Sequence, residues 1–450
     1  MPTHPALTAL QDRLTGTLLL PEDPGYEAAR QPWNLAIEQH PVAVATPADL
    51  DDLRALLRAA RESGVTLAIQ PSGHGASGAL NGAVLVRMSA FDELSLDLES
   101  GVATVGAGVR WGAIVAALEG TGWVAPAGTS PVVSVAGYTL GGGHSWFSRT
   151  GGLGSDNLRA AWVLRPDGTH ERVDDDTDRD LMWALRGAGG LVGIVTALEI
   201  ELVPAPDVWG ANLTFDVADA PAVVRAVRDL AESAPASLNV FVNSMRMPDA
   251  PELPEQVRGR SFLTVQVLST DGPQDELVET VRRAGEVRRE ITGPTSPAAL
   301  AAASNEPTEP TPGRGASMAL GVLDDETIDA LLEVRELPEH WPLMGIELRM
   351  LGGALDAPRR PGFASLESAS WLLHALVPVI PGVPVEPGDA SLVAFRELLA
   401  PSEAAQTVTT FLGPDQSLDR CGSAEDVARL RGVRSRVDPD GLLHEGRLPR

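Results

Sequence analysis

The sequence predicts an α+β fold built in two parts, on three observations. Short apolar strands alternate with helices up to about residue 205, and three glycine-dense segments punctuate that stretch: QPSGHGASG at 70–78, AGYTLGGGHSW at 136–146 and RGAGGLVGIVT at 186–196. Composition then changes, and from 206 to 400 amphipathic helix candidates interleave with β-like runs. The 450 residues suffice for two sizeable domains.

The elements follow in order. TPADLDDLRALLRAAR, 46–61, reads as a helix capped at Thr46, with Pro47 next and leucines spaced along one face. VTLAIQ, 65–70, reads as a buried strand that delivers the chain into the first glycine loop, and AVLVRM, 83–88, as another. VATVGAG, 102–108, alternates into glycine, and WGAIVAALEGTG reads as a helix ending near Gly120 or Gly122. Residues 123–158 hold too much glycine for a long helix, so compact ligand loops are expected there. RAAWVLRPDG, 159–168, and GIVTALEIELVP, 193–204, read as strands flanking a helix over 178–190. Beyond 206, helices are expected at 220–234, 273–290 and 325–337, with strands at LNVFVNS, SFLTVQVL and GIELRML. The Pro- and Thr-rich segment 294–315 reads as a mobile surface loop or lid edge.

Charge and composition narrow the function classes. The formal net charge is −26, which opposes binding to nucleic acid or to anionic membranes. All 35 basic residues are arginine, so Schiff-base chemistry on lysine is excluded. Cys421 is the single cysteine, which rules out an intrachain disulfide. The N-terminal run lacks a basic start followed by an apolar core, and no charge-free stretch reaches membrane-spanning length, so a cytoplasmic protein is expected. Three glycine loops with exposed amides suit a large phosphate-bearing cofactor. No metal site is expected, and the sequence is compatible with a homodimer without identifying a self-complementary surface.

At these motifs the chain resembles the flavin-linked oxidases of the vanillyl-alcohol oxidase superfamily, in the berberine-bridge-enzyme-like branch. The resemblance covers most of the chain. It rests on Trp33-Asn34, QPSGHGASG, GTSPVVSVAGYTLGGGHSW, LGSDNL, GAGGLVGIVT, IELRMLGGAL and RSRVDPDGLLHEG. It implies a split FAD-binding domain over 1–205, an inserted α+β substrate-binding domain over 206–400, and a return to the FAD domain over 401–450. A Rossmann nicotinamide site is not implied, because GAGGLVG departs from the G-x-G-x-x-G pattern.

The resemblance also assigns roles. His74 matches the histidine that attaches the flavin C8 methyl group. Some relatives add a cysteinyl bond at flavin C6; the matching position here is Ser130, so FAD is expected to be mono-covalent through His74. Ser72, Gly73, Gly75, Ala76 and Ser77 are expected to cradle pyrophosphate through their backbone. Thr129, Ser130, Gly137, Gly141 and Gly142 approach FAD from the second loop, and Gly190, Gly193 and Val195 from the third. Any one of these glycines can equally be a turn former. His144 is expected to line the flavin pocket. Family members use a tyrosine or an acidic residue from the substrate domain for proton transfer, but the only tyrosines here are Tyr26 and Tyr138, so the usual C-terminal tyrosine is missing. Glu347 becomes the expected base and Tyr138 the residue that orients substrate or flavin, with Glu367 and His374 as further candidates. Glu347 can alternatively be an ion-pair partner of Arg349.

The resulting expectation is an FAD-dependent oxidase that moves hydride from a small alcohol, lactol or amine to flavin and electrons on to oxygen, in a setting such as natural-product tailoring. A dehydrogenase with another acceptor, a non-redox cyclase and a flavin-binding module without chemistry are the alternatives.

Overall fold

Thr46 closes the strand Ala43–Thr46 and does not cap a helix. The cap is Asp49, whose side chain accepts from the backbone N–H groups of Asp51 and Asp52 at 2.9 Å, and the helix runs Leu50–Ser63. The computed structural model describes residues 4–247, 249, 251, 255–304, 306–336, 344–380 and 382–449.

Two larger sheets make most of the first region, beside a two-stranded pairing of Val203–Pro204 with Trp123–Val124. In the smaller, the strands lie in the order Thr17–Leu19, Ala43–Thr46, Val84–Val86, Leu67–Ile69, the last three parallel. The larger is antiparallel, in the order Leu94–Asp97, Val102–Gly106, Ile194–Glu201, Leu158–Leu164, His170–Asp174. Both feed one core, and Leu418, Cys421, Leu430, Val433 and Leu443 from the C-terminal stretch are buried in it. The Leu67 N–H donates to the Leu442 carbonyl at 2.8 Å, tying the end of the chain to the strand that leads into the first glycine loop.

The second region is one seven-stranded antiparallel sheet, in the order Val287–Pro294, Trp209–Asp216, Ser261–Ser269, Leu238–Arg246, Gly345–Met350, Trp371–Pro378, Gly313–Leu320. Its period-2 pattern sends Leu213, Val240, Val265, Leu348 and Leu373 into a core covered by the helices Ala220–Ala231, Asp275–Arg282, Asp325–Glu336 and Glu386–Leu399. The alternate positions face the first region. Arg149, buried between the two, donates to the carbonyls of Leu238, Ala234, Pro235 and Leu351. The indole of Trp146 stacks on Phe241 with centroids 3.6 Å apart.

Two further expectations need correction. The helix read over 273–290 covers only Asp275–Arg282; the remainder turns into the edge strand Val287–Pro294, because Trp209–Asp216 offers it a ladder. The segment 294–315 is not a loose loop: it holds the helix Pro297–Ser304 and enters the strand Gly313–Leu320. Residues 123–158 include two short helices, Val135–Leu140 and Ser148–Gly151. Leu337, the last position of the helix expected over 325–337, and Asn305 lie outside the described residues.

Candidate active site

A cavity of about 960 Å³ opens between the two regions. One wall is the first glycine loop with His74, a second is Gly128–Ser130 with Tyr138 and His144, and a third is the sheet face carrying Ser317, Arg349 and His374. A narrower cavity of about 270 Å³ continues from it past Gly187–Leu191, Gly193, Val195 and Ser77. The two share Gln70, Gly75, Gly137, Thr409 and Arg447, so together they form one elongated space.

The glycines separate into two kinds. A Cβ at Gly75 or Gly190 would meet nothing within 4 Å, and one at Gly137 only the Ser134 side chain at 3.9 Å; these three border the cavities. At other positions the protein's own packing demands glycine, including some that also border the cavities. At Gly143, with φ +68°, a Cβ would lie 2.3 Å from the Tyr138 ring. At Gly73 it would strike Pro32 at 2.8 Å, at Gly141 Thr410 at 2.9 Å, and at Gly193 Val163 at 2.3 Å. A Cβ at Gly142 would meet Val408 at 2.9 Å and Ala364 at 3.2 Å, and this glycine is not among those bordering the cavity.

The side chains lining the larger cavity carry polar atoms without partners. His74 shares a hydrogen bond between Nδ1 and the Ser72 hydroxyl at 3.0 Å, while its Nε2 is buried and unpaired. The Ser130 hydroxyl, the Tyr138 hydroxyl and both ring nitrogens of His144 are likewise buried and unpaired. Orphaned buried polar atoms are costly unless a ligand or water satisfies them. This set fits a large, flat, heteroatom-rich group, and the narrower extension bordered by Gly75 and Gly190 amides fits a phosphate-bearing tail.

Electrostatics favour neutral rings. Burial lowers His74 to about 4, with Arg110 adding to the effect, so its imidazole is uncharged at neutral pH and carries a lone pair. His144 and His374 are also pushed down by burial, and Tyr138 is pushed up, so its phenol stays protonated. Cys421 is buried behind the cavity near Thr409, its thiol pushed up to about 12, which makes it inert.

The sheet face is ordered by register. Asn243, Glu347, His374 and Ser317 lie opposite one another across four strands, and the Ser317 hydroxyl meets His374 Nδ1 at 2.8 Å. Arg349 sits two residues from Glu347 on the same face. Its guanidinium lies between the Phe241 and Phe411 rings, 4.8 and 5.5 Å from their centroids, and is bound by Glu347 at 2.6 and 2.5 Å. Arg349 lines the cavity and Glu347 does not, so the expected base is instead the anchor of a guanidinium. Glu367 is exposed and outside the cavity lining. Tyr26 donates to the Pro41 carbonyl at 2.5 Å, a packing role away from the site.

The cavity also holds a group that sequence patterning did not single out. Glu306 lies in its wall, within electrostatic reach of the Thr129 and Ser130 hydroxyls and of Arg349. No motif marks it, since it stands in a Pro- and Thr-rich run with no periodicity.

Comparison with known proteins agrees with this arrangement. Residues 41–174 match the FAD binding domain family. An uncharacterized FAD-linked oxidoreductase, YvdP of Bacillus subtilis, is 26% identical over 96% of this chain and 97% of its own. The glucooligosaccharide oxidase of Sarocladium strictum is 30% identical over 46% of this chain, a match spanning 43% of that protein. The fold superposes on Physcomitrella patens BBE-like 1 with a TM-score of 0.85, at 19% identity, covering 98% of this chain and 99% of that one. Fold, cavity and domain match define an FAD-linked oxidoreductase. The chain thus carries an FAD binding domain within the fold seen in that BBE-like protein.

Proposed function

We propose that this protein is an oxidase for a small hydroxylated or amine substrate, with FAD attached through His74 alone and oxygen as the final electron acceptor. The observation that carries the reading is the larger cavity, which His74, with an unpaired Nε2, lines together with Arg349 and His374 of the sheet face. Bound FAD supplies a hydride acceptor that can pass its electrons on to oxygen.

The protein's own contributions follow from the site. The neutral His74 offers a nucleophilic nitrogen for the flavin bond, and Ser130 has no thiol with which to form a second one. Gly75, Gly137 and Gly190 leave the space and the amides for the cofactor, and Arg447 borders both halves of it. Tyr138 and His144 present unpaired polar atoms that can orient flavin or substrate. The oxidase reading draws on the relatives named as oxidases, among them the glucooligosaccharide oxidase.

A metabolite screen tests it. Substrate should bleach the flavin without oxygen, and peroxide should appear when oxygen returns. Bleaching with negligible reoxidation by oxygen would replace oxidase with dehydrogenase, and product formation without net redox change would replace it with a cyclase.

A further inference from the structure

The wall that carries Glu306 is built, not loose. Just beyond it, the Thr311 N–H donates to the Trp33 carbonyl at 3.1 Å and the Leu35 N–H to the Thr311 carbonyl at 3.3 Å. The Asn34 side chain closes the join, donating to the Gly313 carbonyl at 3.0 Å and accepting from the Gly313 N–H at 3.1 Å. Trp33 itself stacks on His74 and its N–H reaches the Ser72 carbonyl. The Glu306 segment is therefore fastened to the same strip of chain that braces the His74 loop.

Four other titratable groups at or near the cavity are committed or mismatched. Glu347 holds Arg349, and Asp389 holds Arg314 at 2.7 Å through both carboxylate oxygens. Tyr138 is held protonated by burial. His374 shares its Nδ1 with Ser317. Glu306 lines the cavity, within the electrostatic reach of Thr129, Ser130, Arg349 and Glu347.

Resting on the oxidase reading above, we propose that Glu306 is the catalytic base that takes the substrate's hydroxyl proton. The step balances: the O–H bond breaks, its electron pair becomes the second C–O bond, the carbon's hydride goes to the bound flavin, and the proton stays on Glu306 until product leaves. The substrate is oxidised by two electrons and the FAD reduced by two. Glu306 is exposed to the open cavity, yet desolvation by the surrounding protein pushes it up from its ordinary value, opposed by Thr129, Ser130 and Arg349 and reinforced by Glu347, which is the direction a base needs.

Two measurements on the holoenzyme test this. The first needs no substrate: sulfite, an anion that adds to oxidised flavin, reads the charge beside it. Glu306→Gln should tighten sulfite binding by roughly threefold to thirtyfold and flatten its pH dependence relative to wild type, at unchanged flavin content and Tm. Sulfite affinity identical to wild type across pH would place the carboxyl away from the reacting face and overturn the proposal. The second uses whichever alcohol or aldose of a panel bleaches the wild-type flavin anaerobically. Glu306→Gln should slow that reduction by roughly a hundredfold to ten-thousandfold and remove its acid limb, while Glu306→Asp restores part of the rate. Unchanged reduction in Glu306→Gln also overturns it. A wild-type flavin that amines reduce but no alcohol or aldose does overturns the base assignment alone, and one that neither class reduces sinks the oxidase reading with it.

Discussion

The indole of Trp33 lies against the imidazole of His74, with centroids 4.2 Å apart and planes 15° from parallel. The Trp33 backbone extends the contact in both directions, its N–H to Ser72 and its carbonyl to Thr311. One residue thus holds the histidine proposed to attach the flavin against a segment of the second region. A ring fixed in this way needs little reorganisation before it meets a flavin.

His74→Ala should abolish covalent flavin, seen as loss of the flavinylated peptide after acid denaturation, while some FAD stays bound. Cys421→Ser should leave the covalent yield unchanged, because the buried thiol is packed behind the cavity. An unmodified His74 peptide at full flavin occupancy would reject the attachment site.

The same histidine makes the apoprotein acid-sensitive. Its pKa is lowered from 6.5 to about 4 in the folded chain, so the unfolded chain binds more protons between those values. Stability from this group is full above about 6.5 and declines as pH falls toward 4. Urea midpoints of apo wild type should drop across that window more steeply than those of apo His74→Asn; parallel curves would contradict the buried neutral ring.

Asp156 gives the opposite slope. Burial raises it to about 6, against the pull of Arg186, Arg359 and Arg360, and its carboxylate accepts from the Leu153 N–H at 2.8 Å. The folded chain therefore holds this proton more tightly, and the associated stability is present below about 3.8 and lost as pH rises to about 6. Asp156→Asn should gain in Tm relative to wild type on going from acid to neutral pH. A pH-independent difference between the two would mean that Asp156 titrates normally.

Two glycine substitutions should fail differently. Gly190→Val places a side chain where nothing lies within 4 Å, so the apoprotein should fold with near-normal stability and lose FAD on gel filtration. Gly143→Ala forces a Cβ to 2.3 Å from the Tyr138 ring at φ +68°, so the apoprotein itself should be destabilised by about 1–3 kcal/mol. Chemical denaturation of both apoproteins, with flavin retention measured alongside, separates the two effects.

Asn34→Ala removes both hydrogen bonds to Gly313. The expected cost is about 1–3 kcal/mol, with faster hydrogen exchange in the 306–313 segment and slower covalent flavin incorporation. Unaltered exchange there would show that the wall does not depend on this join.

The sequence by itself determined what depends on near neighbours. Strand Leu67–Ile69 running into the His74 loop, the Asp178-capped helix Arg179–Ala188 and the alternation of Leu238–Arg246 all follow from local pattern, because burial faces and caps repeat over a few residues. His74 and Ser130 were legible because motifs surround them. Tertiary structure decided the rest. Val287–Pro294 became a strand only because Trp209–Asp216 lay beside it, and Gly143 was reserved for a tyrosine ring and not for the cofactor. Sequence singled out Glu347 as the expected base and passed over Glu306. Their difference lies in which carboxylate finds a guanidinium and which is carried to the cavity by a loop that Asn34 fastens across 279 positions of chain, and local periodicity carries no record of contacts at that separation.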